Sequence, residues 1–148
     1  MIDHFTVKVS DYRRSREFYV KALAPLGYQA VMEYEGGGGF GPKGKPYLWL
    51  SQDPQNVRPM HFAFAAPDRR AVDAFYAAAM GSGARDNGPP GLRKHYHPDY
   101  YGAFVLDPDG HNVEAVCHRP EPAARARPAA RRKAGKAHRT ARRPSRRR

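Results

Sequence analysis

From His4 to Val9 the chain alternates. Phe5, Val7 and Val9 are apolar, while His4, Thr6 and Lys8 between them are polar. A period of two is the signature of a strand with two unlike faces, and it puts His4 on the less apolar one. The period then lengthens. Phe18, Tyr19, Ala22, Leu23 and Leu26 recur at helical spacing, Ser10 or Asp11 is placed to cap that helix, and Gly27 is placed to end it. Strand-like material follows over 29–34 and again over 47–51, with the glycine tract GGGGFGPKGK (36–45) between.

The same succession occurs a second time. Sliding the chain by 57 residues lays HFTVKVSDYRRSREFY (4–19) over HFAFAAPDRRAVDAFY (61–76), with six identities in sixteen positions. Phe62 and Phe64 alternate with His61 and Ala63. Asp68 is placed as a cap, Val72, Phe75, Tyr76, Ala79 and Met80 form an apolar stripe, and Gly81 and Gly83 stop it. Strands are expected over 85–92, 101–106 and 112–117, the last two joined by the turn sequence DPDG (107–110). The fold class is therefore α+β: two tandem βαβββ modules whose half-open mixed sheets carry helices on one face and enclose a cavity with the other.

Composition divides the chain. The 148 residues carry a net charge of +12, yet residues 1–118 hold 13 Lys+Arg against 13 Asp+Glu, and all of the excess lies in 119–148. That segment has no Val, Ile, Leu, Phe, Met, Trp or Tyr with which to offset ordering entropy, so a domain over 1–118 and a disordered basic tail over 119–148 are expected. Arginines set among Ala and Pro would meet phosphates without reading bases, so non-specific nucleic acid contact through 119–148 stands beside a dispensable tail. The domain's zero net charge gives no basic face of its own. No apolar run is long enough for a membrane span, no secretion signal is evident, and the single Cys117 excludes an internal disulfide framework or a CxxC motif. A cytoplasmic setting is expected. By alternation Cys117 faces the helices as an inert core thiol.

Chemistry concentrates on the other faces. Glu114 alternates with Val113 and Ala115, so it should point away from the helices, as His4 and His61 do. A strand histidine alone is more often a surface or hydrogen-bonded residue than a ligand. Here two histidines hold the same place in two copies, and a carboxylate sits on the last strand of the same inferred face. Two neutral imidazoles and one carboxylate with open positions suit a divalent Fe, Mn, Ni or Zn ion, to which a small substrate binds through two adjacent oxygens. Tyr47 and Trp49 face the same inferred cavity and shape it. In the loop GLRKHYHPDYYG (91–102), His95, His97 and Tyr101 are candidates for acid or base work, against the plainer reading of a packed surface loop. GGGGFGPKGK lacks the GxxxxGK[ST] pattern and precedes a strand, so a flexible hairpin is expected there rather than a phosphate loop.

The segments IDHFTVKVSD (2–11), HFAFAAPD (61–68) and GAFVLDPDGHNVEAV (102–116) resemble the vicinal oxygen chelate superfamily of glyoxalases, extradiol dioxygenases and bleomycin-binding proteins. The resemblance covers 1–118 and implies that His4, His61 and Glu114 are metal ligands. It implies a metal-dependent lyase or dioxygenase, with a metal-free small-molecule binder as the alternative. Glyoxalase I members add a fourth ligand on the last strand of the first module. This chain has PYLWLS (46–51) there, and neither Tyr47 nor Trp49 is suited to the role, so the site is closer to a three-ligand arrangement. Two modules in one chain can complete one cavity, which leaves a homodimer open but not required.

Overall fold

The structure, a computed structural model, describes residues 2–121. The expected basic tail lies outside them from residue 122 onward. The first module runs β1 (Phe5–Val9), α1 (Tyr12–Leu23), a 3-10 turn (Ala24–Leu26), β2 (Gln29–Tyr34), β3 (Gly37–Gly41) and β4 (Leu48–Gln52). The second runs β5 (His61–Ala65), α2 (Arg69–Met80), β6 (Arg85–Leu92), β7 (Tyr101–Leu106) and β8 (Asn112–Cys117). Each module makes a four-stranded mixed sheet, in the orders β1-β4-β3-β2 and β5-β8-β7-β6, with β1 parallel to β4 and β5 parallel to β8. The repeated βαβββ plan read from the sequence is the one the chain adopts. No helix among the described residues is long and apolar enough to cross a membrane.

Local chemistry explains the boundaries. Asp11, not Ser10, caps α1 by accepting from the Arg14 amide, and Asp68 caps α2 by accepting from the Ala71 amide at 2.8 Å. Gly27 closes the 3-10 turn in the left-handed region at φ 82°. β6 contains Pro89 and Pro90 and pairs irregularly with β7. It lies at a sheet edge, where a missing N–H donor costs little.

The glycine tract departs from expectation. Residues 37–41 are not a loop but β3, an inner strand buried along its whole length. A methyl at Gly39 would stand 2.7 Å from the Pro46 Cβ and 3.1 Å from the Trp49 ring, and one at Gly41 would overlap the Lys45 carbonyl oxygen. Bare backbone lets the Trp49 indole lie over the sheet, with Tyr34 beside it at 6.5 Å between ring centres. Close approach, rather than turn geometry, fixes these residues as glycine.

Both sheets bury the same kind of face in a single core. Val7, Val9, Leu48 and Leu50 of the first sheet and Phe64, Val105, Val113 and Ala115 of the second pack with Phe18, Leu23, Val72 and Phe75 of the two helices. Cys117 belongs to this core, as expected. Phe5 and Phe62, equivalent in the repeat, meet with ring centres 5.2 Å apart. The DPDG turn also latches the modules together. The Tyr19 hydroxyl donates to Asp107 at 2.8 Å, the Ser10 amide donates to Asp109 at 3.0 Å, and Arg14 pairs with Asp109 at 2.9 Å. His111, fully buried, accepts from the Met60 amide through Nδ1, which leaves Nε2–H to donate to the Lys8 carbonyl at 3.0 Å. Burial pushes the Asp107 carboxyl above its usual range, so the Tyr19 hydroxyl and the amides of Asp109 and His111 are needed to hold it.

Two stability measurements check this picture. Gly41→Ala should destabilise the domain by about 1–3 kcal/mol in urea unfolding, because the backbone of Lys45 cannot give way. Tyr19→Phe should cost about 1–3 kcal/mol by stranding a buried carboxyl oxygen. Wild-type stability in either variant would contradict the corresponding contact.

Candidate functional site

Val113, Ala115 and Cys117 of β8 lie in the core, so Glu114 stands on the opposite face of the sheet. It is nevertheless sealed from solvent, with its side chain only 2% exposed. Gly102 on the neighbouring β7 makes the room, since a Cβ there would come within 3.1 Å of the Glu114 Oε1. Tyr100 donates its hydroxyl to that Oε1 in a short bond. Burial, followed by this bond to the carboxylate, pushes the Tyr100 phenol well above its usual range, so it stays a donor. The other carboxylate oxygen, Oε2, lies 3.2 Å from His61 Nε2.

His61 is held from behind. Its Nδ1 lies 3.1 Å from the carbonyl oxygen of Asn112, its register partner across the parallel β5–β8 pair, and a carbonyl can only accept. Nδ1 therefore carries a proton, and in the neutral ring Nε2 is a lone pair aimed at a carboxylate oxygen. Two acceptors at this distance need a proton or a cation between them. Two ligand atoms each about 2.1 Å from one ion stand about 3.0–3.4 Å apart at ordinary coordination angles, so the observed spacing fits a shared metal. A backbone carbonyl behind a ligating imidazole is also the usual support for such a ligand.

His4 does not join them. Its Nδ1 pairs with the adjacent Asp3 at 2.9 Å on an exposed surface, and Asp3 is also bound by Lys45 at 2.6 Å. No three His, Cys, Asp or Glu side chains among the described residues lie close enough to hold a metal ion. The cause is in the packing: the two sheets turn their apolar faces to one common core, so the faces carrying His4 and His61 look away from it. Tyr47 and Trp49 share the His4 face, where Lys45 lies 5.0 Å over the Tyr47 ring and Trp49 covers Gly39. One chain thus brings together two of the three expected ligands, and the single cavity expected between the modules is replaced by a separate face on each.

The second module's face opens into a groove of about 350 Å³ lined by Asn87, Arg93, His95, Tyr96, Phe104 and Asn112. Phe104 links it to His61, with ring centres 6.2 Å apart and planes at 30°. His95 stacks on Tyr96 at 4.1 Å and borders the groove. His97 does not; its Nδ1 accepts from the Asp99 amide, and its ring faces His118. Tyr101 is turned to the helix side, where its hydroxyl donates to Asp73 of α2 at 2.7 Å and Arg69 covers its ring. The tyrosine that reaches Glu114 is Tyr100. Alternation contained that signal, because Ala103 and Val105 face the core and Tyr101 shares their side. Arg93, Phe104 and Asn112 were also missed, and only the alternation of β7 and β8 marked the last two.

Comparison with solved structures places the architecture. A glyoxalase/bleomycin resistance protein from Albidiferax ferrireducens aligns with 27% identity and a TM-score of 0.67, over 80% of this chain and 98% of its own. A glyoxalase/bleomycin resistance protein/dioxygenase family enzyme from Burkholderia phytofirmans aligns with 17% identity and a TM-score of 0.63, over 80% and 98%. A glyoxalase-related enzyme from Fulvimarina pelagi gives 16% and 0.63, over 79% and 87%. The last two likenesses concern the fold alone. No curated protein matches the chain. The model of one family spans residues 1–115, which takes in His4, His61 and Glu114 and all but the end of β8. The chain belongs to the Glyoxalase/Bleomycin resistance protein/Dioxygenase superfamily.

Proposed function

We propose that this protein is a metal-dependent enzyme of the glyoxalase/dioxygenase type, acting on a small substrate with two adjacent oxygens. The observation that carries the reading is the facing pair of acceptors, His61 Nε2 and Glu114 Oε2, 3.2 Å apart and each fixed from behind. His61 and Glu114 would hold a divalent Fe, Mn, Ni or Zn ion, and such an ion supplies Lewis acidity toward paired substrate oxygens. Around it the chain's own groups do the rest. Tyr100 keeps one carboxylate oxygen occupied and so directs the other. Asn112 fixes the imidazole tautomer. Phe104 and Tyr96 offer apolar ring surface to the substrate, and His95, at the edge of the groove, is placed to move a proton.

The third ligand is His4 of a second copy. Within one chain its face is turned away from His61, whereas a homodimer pairing the first module of one copy with the second module of the other would bring the two faces together. Exposed apolar side chains on the described surface, Met32, Tyr34, Leu92 and Tyr96 among them, give such a pairing something to bury. The reducing cytoplasm is the setting that suits the single Cys117.

The rival is a metal-free binder of a small aromatic molecule. One observation favours it: with a proton on His61 the same pair is an ordinary ion pair, and the groove beside it remains open. Untagged protein incubated with each of the four ions and freed of excess should retain about one equivalent per chain, falling below about a tenth in Glu114→Gln and His61→Ala. His4→Ala should lose metal as well, and the wild type should sediment as a dimer. Less than about a tenth of an equivalent in the wild type, with ligand binding unaffected in His61→Ala, would select the binder.

A further inference from the structure

We infer that the substrate carries a carboxylate, and that Arg93 in the second module's groove is the residue that receives it. The inference deepens the reading above, because it names the substrate's class at the same site. It rests on how Arg93 is housed. Its guanidinium lies over the Phe104 ring, 5.6 Å from the ring centre. A Cβ at Gly91 would come within 2.9 Å of one terminal nitrogen, and a Cβ at Gly88 within 3.4 Å of the other and 3.1 Å of the Phe104 ring. The stretch RDNGPPGL (Arg85–Leu92) thus leaves two gaps that together admit one planar cation.

One donor of that cation is spent on the Pro89 carbonyl at 2.7 Å. A guanidinium has five N–H groups, and the Arg93 side chain makes no other hydrogen bond and no ion pair among the described residues. No Asp or Glu lines the groove, so no carboxylate of the described residues fills the guanidinium fork there. A cation half-buried on an aromatic face, with its fork unfilled, matches a planar carboxylate through two parallel hydrogen bonds. One guanidinium also balances one carboxylate charge, whereas a phosphate dianion would leave a charge unmatched.

A second polar group in the groove points to the rest of the molecule. The Asn112 side-chain oxygen is buried and has no hydrogen-bond partner. A buried acceptor without a donor is costly, and a ligand hydroxyl would satisfy it. Asn112 also carries the carbonyl that supports His61, so this acceptor adjoins the His61–Glu114 pair. Carboxylate at Arg93, hydroxyl at Asn112 and paired oxygens near His61 and Glu114 together describe a small hydroxy acid with an apolar or aromatic body.

Isothermal titration of the full chain with catechol, benzoate and 3,4-dihydroxybenzoate tests this, each with and without divalent ion. The expected result is that 3,4-dihydroxybenzoate binds about tenfold to a hundredfold more tightly than catechol, as a charge-assisted bidentate contact provides. Arg93→Gln should abolish that preference while leaving catechol binding and metal content unchanged. Near-equal affinities in the wild type, an equal loss for both ligands in Arg93→Gln, tighter binding of phenyl phosphate than of benzoate, or no binding of any probe would each overturn the inference. A carboxylate preference that persists in metal-free protein and in Glu114→Gln would uphold the anion site while the metal reading fails. Metal uptake without the preference would show the reverse.

Discussion

β1, β4, β5, β7 and β8 each turn an apolar face inward, and those faces, with Phe40 of β3, bury against the same two helices. That shared core decides where the polar side chains look. It brings Phe5 against Phe62, draws the DPDG turn of the second module onto α1 of the first, and seats His111 between the modules. The same demand turns His4 outward on one side and His61 with Glu114 outward on the other. Hydrophobic burial scales with area and has no direction of its own, so the polar chemistry is arranged around whatever packing it imposes.

Within the second module the polar arrangement is specific. Glu114 is a carboxylate almost wholly removed from water, a state that is costly unless both oxygens are engaged. Tyr100 engages one, and the other faces an imidazole nitrogen whose ring is fixed by a backbone carbonyl. The pair is thus built for a positive charge between or upon its members. A proton and a divalent ion meet the need equally well in geometry but give the protein different chemistry.

Much of the architecture was legible because two simple periods carry it. Alternation assigned the faces of β1, β5 and β8, helical spacing found both helices, and the 57-residue repeat joined them into modules. Alternation is silent, however, on how one sheet lies relative to another, so it correctly put His4 and His61 on non-core faces yet could not show that those faces diverge. Tyr101 differs, because its face was readable: Ala103 and Val105 mark its side of β7 as the core side, which leaves Tyr100 on the side of Glu114. The edge strand Arg85–Leu92 was legible, but Arg93 was beyond sequence reasoning, since its setting depends on which side chain folds over the gaps that Gly88 and Gly91 leave. The buried strand Gly37–Gly41 was hidden for the same reason: its pattern resides in its neighbours' side chains, Trp49, Pro46 and Tyr34.

That strand also bears on how the domain moves. A run with Phe40 as its one side chain regains more backbone freedom on release than any other strand among the described residues, and the edge strand β2 pairs with no strand but this one. Breathing of the native state should therefore begin in the outer half of the first sheet. The inner strands of the second sheet, β8 with Glu114 and β7, carry side chains throughout most of their length, so opening of β2 and β3 should leave His61 and Glu114 in register.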